Sequence, residues 1–189
     1  MLNIKEHPHL LKVDNAVVVV VDMQEPFLQG IHGREPLLYN VRTLLQGARI
    51  LHLPILCTTQ YVKRMGETIP EIKELLSPQL PSFDKLEFSC FRSLPFNSEL
   101  QRSGRKQVLL CGVETHICVN QSAHDLTAAG YQVHVVADAV SSRTELNWRL
   151  GLDKMRQGGV LLSSTELALY ELMQMAGTPE FKAMLPVVK

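Results

Sequence analysis

Residues 107–122 read QVLLCGVETHICVNQS, and the change of character in the middle of this run decides the fold. Residues 107–111 form an apolar run that stops at Gly112, and from Ile117 onward small and apolar residues recur at helical spacing (Ile117, Ala123, Leu126, Ala129). The pattern predicts a strand, a tight turn and a helix, with Cys118 in the helix's first turn. Unpaired N–H groups and the positive end of the helix dipole favour an anion there, so a thiol of lowered pKa is expected. The same N–H groups can hold an oxyanion. A free cysteine is commonly a small buried hydrophobe, and Cys57 and Cys111, inside apolar runs, read that way. Cys118 differs in standing where a strand hands over to a helix, the place where open α/β sheets put their sites.

Working outward, residues 16–21 (AVVVVV) are β-branched almost throughout and do not alternate, as expected of a central parallel strand covered on both faces; the strand ends at Asp22. Residues 23–33 read as a loop, and 35–53 as a helix with Leu37, Leu38, Val41, Leu44, Leu45, Ala48 and Leu51 on its inner face. A second strand (54–59) leads into a polar loop (60–70) of the kind that covers a site. A short helix over 70–76, a proline-broken link, an extended piece over 83–91 and a short helix over 95–103 precede the central run. Beyond it come a strand (131–137), a polar turn (138–144), a helix (145–157), a strand (158–162) and a helix (164–176) capped by Ser163 or Ser164. The tail 177–189 reads as a short helix and a loose apolar end suited to packing on a neighbouring subunit. Strands alternating this regularly with helices predict an α/β fold, a three-layer α/β/α sandwich around a mostly parallel, about six-stranded Rossmann-like sheet. A single domain is expected over 1–189, its core at about 15–176.

Lysine plus arginine equal aspartate plus glutamate at 19 each, so no net field draws nucleic acid to the chain. The longest apolar run, 16–21, is far too short to cross a membrane. Four cysteines without close regular spacing, behind a start (MLNIKEHPHLLKVDN) that lacks an apolar signal core, point to a reducing, cytoplasmic setting. No GxGxxG follows any strand, which argues against a dinucleotide enzyme.

In a parallel sheet the residues just past the strand ends share one edge, and Asp22 and Cys118 both fall there. A carboxylate beside a thiol can serve as general base and later as acid, and a nearby ammonium, for which Lys85 is the candidate, would orient it. The competing readings are a strand-end turn residue for Asp22 and a solvated loop residue for Lys85. His116 and Cys118 lack the second pair of ligands that a metal site needs, so no metal or other cofactor is expected.

The segments VVVDMQEPF (19–27), FDKLEFSCF (83–91), GVETHICV (112–119) and GYQVHVVADAVSSR (130–143) resemble, in order, the signatures of the isochorismatase-like cysteine hydrolases. The likeness runs over roughly residues 15–170, and residues 54–72 are more similar to the family's members of unassigned substrate than to its nicotinamidases. The resemblance implies a triad of Asp22 as base, Lys85 and the nucleophile Cys118. It also implies a cis peptide between Val113 and Glu114, which would aim the N–H of Glu114, with that of Cys118, at an oxyanion. Metal-using nicotinamidases carry an Asp-x-His motif after the second strand, and TTQYVKRMGET stands there instead.

The expected activity is metal-independent hydrolysis of a small amide or carbamoyl-like C–N bond through a Cys118 thioester. Gln24, Phe27, Gln60, Tyr61 and Arg92 are the candidate substrate-binding residues. Three alternatives stay open: a catalytically silent oligomeric binding or scaffold protein, a vinyl ether hydrolase of the isochorismatase type, and thiol redox chemistry. The resemblance favours a homo-oligomer acting on a small molecule.

Overall fold

Strand β1 (Ala16–Val21) is buried along its whole length, and its side chains divide by parity. Ala16, Val18 and Val20 enter one apolar core, while Val17, Val19 and Val21 enter another on the opposite face. This is why the run shows no alternation: both faces of the strand are inside. The protein is described here by a computed structural model covering residues 7–76 and 82–189. Residues 1–6 of the chain's start and most of the proline-broken link, residues 77–81, lie outside the described residues.

Six parallel strands form one sheet in the order β3-β2-β1-β4-β5-β6, with β2 at Ile55–Gln60, β3 at Phe83–Lys85, β4 at Gln107–Val113, β5 at Gln132–Ser141 and β6 at Leu161–Ser163. Helices cover both faces. Against one pack α2 (Arg34–Ile50), α8 (Thr165–Met173) and α9 (Pro179–Met184), through Leu44, Leu45, Leu169 and Met184. Against the other pack α5 (Leu94–Arg102), α6 (Asn120–Ala128) and α7 (Glu145–Gln157), through Phe96, Leu126 and Met155. The short helices α1 (Glu25–Leu28), α3 (Val62–Met65) and α4 (Pro70–Lys73) lie within the expected loops and short helix. Ser164 is the cap of α8, accepting from the N–H of Leu167 at 3.2 Å.

Three expectations are corrected. The fifth strand runs to Ser141 instead of turning at 138, because Asp138 is stitched into the structure. Its Oδ1 accepts from the N–H (2.8 Å) and Oγ1 (2.9 Å) of Thr165, and its carbonyl accepts from Asn40 at 3.1 Å. The register against β4 shifts between Leu110 and Gly112 to absorb the extra residues. The piece 83–91 is a strand only over β3, then breaks into a 3₁₀ turn at Cys90–Arg92. The tail packs on its own chain: Met184 is buried, and Val187 and Val188 lie against the same core as α2.

Strand order reverses between β1 and β4, and the crevice outside the carboxyl ends of these strands is where open α/β sheets bind ligands. The two strands approach closely there. Gly112 pairs with Val21 and adopts φ 106°, and any Cβ on it would collide with the carbonyl oxygen of Val21.

Candidate active site

Each strand around the reversal delivers one polar residue to the same edge. Asp22 follows β1, Gln60 ends β2, Lys85 ends β3, Glu114 follows β4 and Arg143 lies just past β5. Asp22 takes a left-handed conformation (φ 50°), a strained geometry for a residue with a side chain, which turns its carboxylate out of the strand. Its N–H stays bound to Thr58 O at 3.1 Å. Thr58 Oγ1 donates to Asp22 Oδ1 at 2.8 Å, and Lys85 Nζ donates to Asp22 Oδ2 at 2.7 Å and to Gln60 Oε1 at 2.6 Å. The Lys85–Asp22 pair is almost wholly withdrawn from water, with side-chain exposures of 0% and 1%. Both residues reach the edge as expected, and Lys85 is not a solvated loop residue.

Cys118 sits in a π-helical turn (Thr115–Val119) that opens α6, where Val119 N–H reaches back to Glu114 O at 3.3 Å. The peptide between Val113 and Glu114 is cis. Cys118 is 7% exposed, and its Sγ lies 4.0 Å from Gln60 Oε1. The expected lowering of its pKa is reversed. Burial pushes the thiol well above its ordinary range, the Asp22 charge adds to the rise, and the Lys85 ammonium offsets only part of it. The shift favours the protonated thiol over the thiolate. Cys57, Cys90 and Cys111 are buried, and burial raises their thiols too, Cys57 to about 11 and Cys90 to about 12.

A cavity of about 440 Å³ opens over these groups, lined by Asp22, Phe27, Gln60, Tyr61, Met65, Leu86, Phe88, Val113, Glu114, Ile117, Cys118 and Arg143. Its size lies in the range of small-molecule sites. A larger hollow of about 540 Å³ between α2 and the tail contains none of the strand-end residues. Of the candidate substrate-binding residues, Phe27, Gln60 and Tyr61 line the cavity, and two do not. Gln24 is buried as a brace: its amide donates to Gln60 O (3.1 Å) and Gly66 O (2.6 Å), and its Oε1 accepts from Gln60 N–H at 2.7 Å. Arg92 is carried away by the 3₁₀ turn and forms a two-pronged pair with Asp125 of α6 (2.7 and 3.1 Å).

The sequence reading missed Arg143, Leu86 and Phe88. The guanidinium of Arg143 grips Glu114 through Nε (3.1 Å) and a terminal nitrogen (2.5 Å), while its backbone N–H adds a third bond at 2.9 Å. Burial works to raise the Glu114 pKa, but these Arg143 contacts prevail and hold it below the usual carboxylate range. His116 bonds to Ser142 Oγ at 2.9 Å, and burial lowers its pKa. Among the described residues no three His, Cys, Asp or Glu side chains gather as a metal-ligand set, and no helix is long and apolar enough to cross a membrane.

Comparison with known proteins agrees with this architecture. The Isochorismatase domain family matches residues 16–166. The secreted isochorismatase effector Isc1 of Phytophthora sojae is 40% identical over 183 residues, covering 93% of this chain and 85% of the relative. The structure of the MAR1 ribonuclease from Caenorhabditis elegans superposes with a TM-score of 0.88 at 35% identity, covering 94% of this chain and 91% of that one. The YcaC protein of Escherichia coli, described as an octameric hydrolase of unknown specificity, superposes with a TM-score of 0.88 at 25% identity over 97% of this chain and 94% of its own.

Proposed function

The chain belongs to the isochorismatase family, and from that premise we propose that it is a metal-independent cysteine hydrolase of a small amide or carbamoyl-like C–N bond. The observation that carries this reading is that Asp22, paired with the buried Lys85 at 2.7 Å, lines the same cavity as Cys118. A thiol whose pKa is raised by burial calls for a local base, and Asp22, on the same cavity wall, supports that role.

Asp22 takes the Cys118 proton as the sulfur bonds to the substrate carbonyl carbon. The backbone N–H groups of Glu114 and Cys118 hold the oxyanion so formed. The C–N bond then breaks, and the amine leaves with the proton from Asp22. Water, deprotonated by Asp22, attacks the thioester, and the C–S bond breaks to release a carboxylic acid and restore the thiol. Lys85 keeps the carboxylate aimed throughout. Gln60 has spent Oε1 on Lys85 and its amide on Leu86 O at 2.9 Å, so it positions Lys85, while Phe27 and Tyr61 contact the substrate.

The chain acts as one domain on a small molecule, as a homo-oligomer like YcaC. The ribonuclease name of the C. elegans protein does not transfer: among the described residues Arg143 is the one cation lining the cavity, and it is held by Glu114. Four free cysteines suit the cytoplasm, and cell fractionation tests that placement against the secreted Phytophthora relative. The decisive experiment follows ammonia or amine release across a library of amides. Cys118→Ala should lose turnover by a factor of about a thousand or more with the fold intact, and retained turnover overturns the covalent route.

A further inference from the structure

Helix α3 and the residue before it supply Met65 and Tyr61 to the cavity wall, yet none of the four residues of α3 is buried. The segment leaves and rejoins the body through two left-handed residues, Tyr61 (φ 47°) and Gly66 (φ 76°). With so little apolar burial its local stability is low, and hydrogen bonds must fasten it. At the entry the N–H of Val62 donates to Asp84 Oδ1 at 2.9 Å, on the exposed side. At the exit the carbonyl of Gly66 accepts from Gln24 Nε2 at 2.6 Å, and Gln24 is wholly buried.

The same amide grips the peptide groups of Gln60, donating to its carbonyl at 3.1 Å and accepting from its N–H at 2.7 Å. Gln60 Oε1 in turn accepts from Lys85 Nζ, and Lys85 Nζ donates to Asp22 Oδ2. The backbone N–H of Gln24 donates to Asp22 O at 2.7 Å, which closes a circuit of hydrogen bonds through the ends of β1, β2 and β3. We propose that Gln24 is a positioning residue that latches residues 61–66 onto the Lys85–Asp22 pair, so that the wall facing the substrate and the pair that moves the proton are set together. The proton-moving role rests on the hydrolase reading above; the latch does not. The position calls for an amide, because one side chain must donate twice and accept once, which neither a carboxylate nor a thioether can do.

The full-length Gln24→Met chain tests this under conditions where it is folded. Alkylation of Cys118 by iodoacetamide and tryptic cutting after the exposed Lys63 and Arg64 should each rise about tenfold or more over the parent chain, read by mass spectrometry. Cys90 and Cys111, both fully buried, should stay unlabelled. Labelling of Cys90 and Cys111 that rises in step with Cys118 would mean general loosening and overturns the latch, as does a failure of either Cys118 labelling or cutting at Lys63 and Arg64 to rise. If Gln24→Met does not fold, the same readings on Gln24→Asn decide, since its shorter amide cannot reach Gln60 and Gly66 together. On an amide that the parent chain hydrolyses, Gln24→Met should lower kcat by about tenfold, and a change confined to KM overturns the link to the pair. If the parent chain hydrolyses no amide, the hydrolase reading fails, and labelling and cutting still judge the latch.

Discussion

Lys85 and Asp22 form a buried ion pair whose two charges depend on each other. Removing one partner strands the other in a dry setting, so Lys85→Ala should lower the unfolding free energy by about 3–5 kcal/mol in a urea titration. Asp22→Asn combined with Lys85→Met should recover much of that loss, because no bare charge remains; a double variant no more stable than the single one would contradict the pairing. The Cys118 thiol, raised by burial and by Asp22, keeps its proton to higher pH than an ordinary thiol. Its alkylation by iodoacetamide should therefore still be accelerating above the usual thiol range of about 8.5, whereas a plateau near neutrality would mean a resting thiolate. Asp22 and Cys118 were legible as strand-end positions, since a parallel sheet brings all such ends to one edge. Arg143 is hidden because the polar run from Asp138 reads as a turn that contains it, whereas the strand continues to Ser141. Arg92 was misplaced because nothing in its neighbours reveals that a 3₁₀ turn swings it onto α6.

At the level of elements, the site depends on how closely β1 and β4 approach at their carboxyl ends. Gly112 permits that approach, with a left-handed φ and no side chain against Val21. Gly112→Ala should destabilise the fold by about 3 kcal/mol or more, since it adds a backbone collision to conformational strain, and the lower melting temperature should be accompanied by lost activity. A melting temperature within a degree of the parent protein would show that the strands can separate without cost. The strand–turn–helix of residues 107–122 was readable because apolar run and helical spacing meet at a glycine. The widening of the helix start into a π turn was not, because it arises from what Glu114 and Val119 bond to and leaves no mark on the periodicity. Asp138 misled for a related reason: its polarity looks like a turn until Thr165, distant in sequence, arrives to satisfy it.

For the whole molecule, the sandwich and its sheet were readable from valine-rich and leucine-rich periodicity alone, because burial on two faces imposes that pattern. Assembly is a different matter, since exposed apolar residues such as Leu146 and Leu150, one turn apart on α7, do not by themselves name a partner. A light-scattering mass should be a multiple of the 21.2 kDa chain, and a value of 21.2 kDa at working concentration would rule out the oligomer. The division of β1 by parity reaches further than the site. Since neighbouring valines feed opposite halves of the molecule, neither helical layer owns a strand that it could keep while the other let go. Warming the protein should therefore loosen both halves in one concerted event, and a defect introduced behind the sheet should be felt in front of it.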